Sequence, residues 1–259
     1  MCYEHLRGHP NIISMLAYGW RHERHAILPY IIVDYSPHGT LRDYLTNEKS
    51  VKTYRKRRLV MDVGKGLEAL HSCGAVHGDL KLENVLVFNR SGDPQAGRIA
   101  KICDFGHSLL LSNYEEELKY RGTALYNAPE VRNQRQAPIP RNMLRKCDIW
   151  AFGLLAWEVL LDGEIYSNRI HNDYEIYDRT QLSGESHAKQ VLSTALGSAR
   201  EVPDEIPALY FRGVFLMTLQ SKPQARTAFL SSNRPAARPH LDMGKSDWSF
   251  DMFRPERQK

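Results

Sequence analysis

The sequence predicts an α+β fold in which short strands occupy parts of the first 105 residues and long helices carry most of the rest. Two patterns support this. Ile12 to Tyr18, Ala26 to Tyr35, Val85 to Phe88 and Ile99 to Cys103 are β-branched, apolar runs bounded by turn residues. Leu59, Val63, Leu67 and Leu70 recur at three- and four-residue spacing between Tyr54 and Ser72, and apolar stretches from Cys147 to Leu161 and from Ala208 to Leu219 also read as helical. A chain of 259 residues fits one large domain, or one domain with a tail.

Each element has its own local justification. Leu6-Arg7-Gly8 reads as a helix end, and His9-Pro10-Asn11 as the turn into the first strand. The second strand runs into Asp34-Tyr35-Ser36-Pro37-His38-Gly39, a turn-rich link. Thr40 is a good N-cap for a short helix, with Asp43 three positions on, close to a capping box. The helix from Tyr54 ends at Cys73-Gly74, and a polar loop follows at once. The strands at 85–88 and 99–103 read as a hairpin with the polar tip Asn89 to Pro94. An aspartate at the start of the apolar helix, Asp148, could serve as a cap. Residues 162–200 carry little pattern. Residues 231–259 read as a loosely held tail, in which Trp248, Phe250 and Phe253 could dock.

The polar loop carries the chemistry. Val76-His77-Gly78-Asp79-Leu80-Lys81-Leu82-Glu83-Asn84 sets a carboxylate, an ammonium and a carboxamide between a buried helix and a strand. That trio suits phosphoryl transfer: one group to orient a hydroxyl and accept its proton, one to offset phosphate charge, and one to hold a divalent ion.

The loop resembles the protein-kinase catalytic loop, H-x-D-x-K-x-x-x-N. Aminoglycoside and choline kinases use a similar H-G-D loop, so other segments must discriminate. Asp104-Phe105-Gly106 follows a strand 20 residues beyond Asn84 and is similar to the kinase D-F-G. Gly122-Thr123-Ala124-Leu125-Tyr126-Asn127-Ala128-Pro129-Glu130 is similar to the segment on which protein kinases seat a peptide, which the small-molecule kinases lack. The resemblance implies an α+β kinase fold with a mainly helical large lobe. It implies that residues 1–35 are a residual small lobe, 36–230 the large lobe and 231–259 a C-terminal tail. It implies Asp79 as the group that orients the acceptor, Lys81 beside the γ-phosphate, and Asn84 and Asp104 as ligands of Mg2+ carrying ATP. Val33 becomes the gatekeeper, Asp34, Tyr35 and Ser36 the adenine-binding link, and Leu86 the floor beneath the base. His77 and Phe105 take structural places, Asp148 holds the backbone of the catalytic loop, and Arg226 pairs with Glu130. Loss of either partner of that pair is expected to cost about 3–5 kcal/mol.

Four family features are missing from the sequence. No G-x-G-x-x-G precedes residue 76, and the first lysine, Lys49, lies beyond the link. The first three strands of the small lobe and the helix glutamate also have no match. An incomplete gene product, strands supplied by another chain, and a pseudokinase are the three explanations. Gly78 stands where the family usually has an arginine that pairs with loop phosphate, so a phosphate-driven switch is not expected here. Lys81 and Thr123 favour the serine/threonine type.

Composition narrows the setting. The net charge of +5 is modest, and the one basic cluster, Lys52 to Arg58, reads as a solvated helix start. Neither nucleic acid nor membrane is expected as a partner; ATP, a protein substrate and a scaffold partner are. Cys2, Cys73, Cys103 and Cys147 show no metal spacing and read as free thiols in a reducing, cytoplasmic compartment. The longest apolar runs are too short to span a bilayer.

Overall fold

The computed structural model describes residues 6–23, 26–48, 50–90, 97–112, 119–133, 139–170 and 184–227. Cys2, Lys49, the hairpin tip at 91–94, the acidic Glu115 to Glu117 and the expected tail lie outside them. β1 (Met15–Glu23) pairs antiparallel with β2 (Ala26–Val33), with Tyr18 opposite Ile31 and Trp20 opposite Pro29. The first strand therefore starts three residues later than its apolar run. Ile12 and Ile13 are instead buried, and Ile13 N donates to Ile102 O at 2.8 Å. The backbone at Ile102 captures them before the strand begins.

α1 (Leu41–Asn47) starts with a complete capping box, Thr40 and Asp43 each bonding the other's backbone. α2 (Thr53–Ser72) buries Leu59, Val60, Val63, Leu67 and Leu70. Its basic start is more than a solvated face. Lys56 is buried, donating to Leu160 O at 2.9 Å and pairing with Asp162 at 2.7 Å, and the Arg57 guanidinium lies 5.5 Å from the Tyr210 ring centroid.

β3 (Ala75–Val76) precedes the polar loop, and β4 (Val85–Asn89) follows it. β4 pairs antiparallel with β5 (Arg98–Ile102), Val85 facing Ile102 and Val87 facing Ala100. β3 pairs with β6 (Leu109–Leu110), so strands bracket the loop from both sides.

The helical part follows: α3 (Pro129–Asn133), α4 (Arg141–Leu160), α5 (Gly184–Arg200) and α6 (Glu205–Thr218). α4 is buried on nearly all sides from Cys147 to Leu160, as its near-continuous apolar sequence requires. It begins six residues before Cys147. Asp148 therefore sits inside the helix and is no cap. α5 occupies a region whose sequence carried little pattern. Its buried positions Ala188, Val191, Ala195 and Ala199 lie at helical spacing. No helix among the described residues is long and apolar enough to cross a membrane.

Candidate active site

The polar loop is held from below by one carboxylate. Asp148, fully buried on α4, accepts His77 N at 2.7 Å and His71 Nε2 at 2.9 Å on Oδ2, and Gly78 N and the Tyr120 hydroxyl, both at 3.0 Å, on Oδ1. Burial pushes its pKa up, but His71 and the loop donors outweigh this and hold it below the usual carboxylate value. One charge inside α4 thus fixes the path of the loop through its own N–H groups.

The loop must turn sharply to reach those donors. Gly78 has φ of 85°, a region that favours glycine, and a Cβ there would run into the His107 carbonyl oxygen. The glycine is therefore required by the backbone path itself. His77 completes the frame. Its Nε2 donates to Cys103 O at 3.0 Å, its Nδ1 accepts Asp79 N at 3.2 Å, and its ring meets Phe105 edge-on at 5.5 Å. The hydrogen bond to Cys103 fixes the tautomer, and the loop is tied to the segment that carries Asp104.

Asp79, Lys81, Asn84 and Thr123 converge. Asp79 Oδ1 accepts Thr123 N at 2.7 Å, and its Oδ2 faces Lys81 Nζ at 2.9 Å and Asn84 Nδ2 at 3.1 Å. Lys81 Nζ also donates to Thr123 Oγ1 at 2.8 Å. Burial raises the Asp79 carboxyl pKa, yet the bonds from Lys81 and Thr123 win and hold it below its ordinary value. Asp79 is thus an ionised acceptor whose position is set by three donors, next to the segment 122–130. Asn84 Nδ2 bonds both Asp79 O, at 2.7 Å, and Asp79 Oδ2, which turns the amide oxygen away from Asp79.

Asp104 stands just past β5, where Cys103 N donates to Asn84 O at 2.9 Å. It is exposed and has φ of 60°, and its Oδ1 accepts Gly106 N at 3.2 Å. A left-handed aspartate with a local turn bond is a conformation that this side chain tolerates. A carboxylate here and an amide oxygen from Asn84 are hard oxygen donors, the type a magnesium ion takes.

The link residues are placed less uniformly. Ser36 Oγ lies 2.7 Å from Val87 O, and Val87 N donates to Gly39 O, so the link is stitched to β4. Leu86 bridges Thr40 and is half-buried. Asp34 lies 3.8 Å from Lys101 Nζ, while Val33 and Tyr35 are exposed.

Glu130 and Arg226 meet in a two-pronged pair at 2.7 and 2.8 Å. Arg226 is fully buried, lies 5.1 Å from the Trp150 ring centroid and also donates to the carbonyls of Gln220, Lys146 and Ser221. Every N–H of the guanidinium is used, which is how a buried arginine is made tolerable.

Several contributors escape a motif reading. His71 and Tyr120 share Asp148 with the loop, and Arg42 and Glu158 form a second polar knot beneath Tyr126. A sequence signal existed for one of them: Glu158 is a lone charge in the apolar run from Phe152 to Leu161.

The chain is similar to known proteins. A family model described as "Protein kinase domain" matches residues 2–229. Mitogen-activated protein kinase kinase kinase 13 of Mus musculus is 31% identical over 250 residues, covering 94% of this chain and 22% of the relative. Serine/threonine/tyrosine-protein kinase HT1 of Arabidopsis thaliana is 31% identical over 58% of this chain and 35% of its own length. Probable serine/threonine-protein kinase MARK-C of Dictyostelium discoideum is 32% identical over 70% and 23%. The chain thus spans well under half the length of these relatives. With the family model covering most of its length, the chain belongs to the protein kinase family, of the eukaryotic type.

Proposed function

We propose that this chain transfers the γ-phosphoryl group of ATP to serine and threonine hydroxyls of proteins. The observation that carries the reading is the convergence of Asp79, Lys81 and Thr123, because it joins a phosphotransfer loop to a peptide-seating segment. Asp79, pinned by Thr123 N, orients the acceptor hydroxyl and takes its proton as the new phosphorus–oxygen bond forms and the bond to ADP breaks. Its lowered pKa suits a late proton transfer better than early abstraction. Lys81 steadies the transferring group. Mg2+, when bound with ATP, offsets phosphate charge, and Asn84 and Asp104 are the residues that would hold it. Val33, Asp34, Tyr35, Ser36 and Leu86 are assigned to the adenine, His77 and Phe105 to the frame, and Glu130, Asp148 and Arg226 to the support of the loop and platform. The Lys81–Thr123 bond supports hydroxyl acceptors of the serine/threonine kind, although one relative, zak2 of Dictyostelium discoideum, is named a dual specificity kinase. The division at residues 35 and 230 belongs to the same reading, as does a reducing, cytoplasmic setting, supported by three free thiols among the described residues.

Asp79→Asn tests it: with Mg2+ and ATP on a generic protein acceptor, transfer should fall by about 10²–10⁴-fold. Unchanged transfer in that variant overturns the assignment.

A second reading, a docking or scaffold protein with little catalysis, is favoured by one observation. The β1–β2 hairpin leaves Tyr18, Trp20, Ile27 and Ile31 exposed, an apolar face of the kind that marks interaction surfaces. A thermal shift with Mg2+ and ATP, followed by turnover, decides against a purely scaffolding role.

A further inference from the structure

Beneath the platform lies a polar knot that the catalytic loop and the Glu130–Arg226 pair do not account for. Arg42, on α1, uses its whole guanidinium there. Its Nε donates to Glu83 Oε1 at 2.5 Å, its Nη1 to Gly163 O, and its Nη2 to Tyr126 Oη at 2.9 Å and Glu158 Oε2 at 2.8 Å. Glu158 is fully buried on α4 and also accepts the Tyr126 hydroxyl, at 2.9 and 3.1 Å, and Tyr166 N at 3.1 Å. One arginine therefore joins the helix after the link, the turn that ends the catalytic loop, the platform and the central helix.

The position of Tyr126 matters to the chemistry. Tyr126 N donates to Thr123 O at 2.9 Å, closing the single turn Ala124–Tyr126, and Thr123 N is the donor that pins Asp79 Oδ1. A displacement of the Tyr126 ring is passed through one turn of backbone to the group that sets the Asp79 carboxylate. The hydroxyl of the same ring donates to Glu158, so the tyrosine and the arginine together satisfy the buried carboxylate, the arginine supplying the opposite charge.

We infer that Arg42 is a positioning residue for the peptide platform, setting how the acceptor is held and leaving the nucleotide side untouched. The inference rests on the kinase reading above for its catalytic part and stands apart from it for its structural part. A guanidinium is needed because four acceptors on four elements cannot be reached by a single ammonium.

The test uses the full chain with Arg42→Ala and Arg42→Lys. Amide hydrogen exchange read on residues 121–128 is the measurement independent of activity. The expected result is exchange about tenfold faster in that segment for Arg42→Ala, with the 141–160 helix unchanged, from the loss of charged hydrogen bonds. Unchanged protection of 121–128 overturns the inference. In the transfer assay, the peptide KM should rise by about tenfold while the ATP KM stays within about twofold, Arg42→Lys should lie between, and added guanidinium ion should partly restore Arg42→Ala. A fall in kcat alone, with both KM values unchanged, points to a merely structural role and also overturns it. If Arg42→Ala does not fold, Arg42→Lys carries both measurements. A wild-type chain without any transfer sinks the kinase reading while the exchange result still decides the inference.

Discussion

β4–β5 and β1–β2 are both antiparallel hairpins of valine, isoleucine and aromatic residues, yet they end in opposite surroundings. In the first, Val85, Val87, Ala100 and Ile102 are fully buried. In the second, Tyr18 is 73% exposed, Trp20 64% and Ile31 66%, on strands of equal apolar content. β5 has α2 packed along it and Ile12 and Ile13 laid against its end, with Ile102 N donating to Asn11 O at 2.9 Å. No described element covers the β1–β2 face in the same way. Strand propensity is thus a property of the run, whereas burial is a property of what another element brings to it.

The sharpest break of this comparison is ionic. Arg226→Met leaves the half-buried Glu130 without its arginine and should lower unfolding stability by about 3–5 kcal/mol in urea titration. Arg21→Met, which removes the Arg21–Glu23 pair at the exposed hairpin, should change it by less than about 0.5 kcal/mol. Equal losses would mean that the hairpin is covered in solution. Next in size is an apolar pair of substitutions. Ile102→Ala should cost about 2–4 kcal/mol by opening a cavity, and Ile31→Ala within about 0.5 kcal/mol because its side chain already meets water. The smallest effect is in pH. His187 accepts Arg132 Nη1 at 3.0 Å, and burial together with the Arg132 charge pulls its pKa down to about 4. A folded value below the unfolded 6.5 means that the unfolded chain binds the proton first. Stability contributed by neutral His187 is whole above about pH 6.5 and drains away as pH falls toward 4. His187→Gln should flatten the melting temperature across that window. A slope that survives the substitution would assign it to another group.

Much of this was legible in the chain. Four strands, the α1 cap, α2 and the loop at 76–87 follow from spacing and turn chemistry alone, because each signal is local. The ends of elements were less so. Asp148 looks like a cap from its neighbours in sequence, and only the helix that starts at Arg141 shows it to be interior. α5 was missed although Ala188, Val191, Ala195 and Ala199 recur at helical spacing. Basic residues at 52–58 read as solvated, since nothing in the sequence says that Lys56 will meet the end of α4. The partners of the site were the hardest to see. His71, Tyr120 and Asp148 are 28 to 77 residues apart and meet only through the packing of α2 against α4. The exposed face of β1–β2 did carry a signal, because with no match for the first three strands of the small lobe the two remaining strands are expected to leave an apolar face unpaired.

The turn at Gly78 has a consequence for how this loop can change over generations. An arginine introduced there would need a left-handed backbone and would drive its Cβ into the His107 carbonyl. An arginine at this position alone therefore does not fit the present backbone. Accommodating a side chain there requires the segment around His107 to shift as well, so the two places are coupled in what substitutions they tolerate.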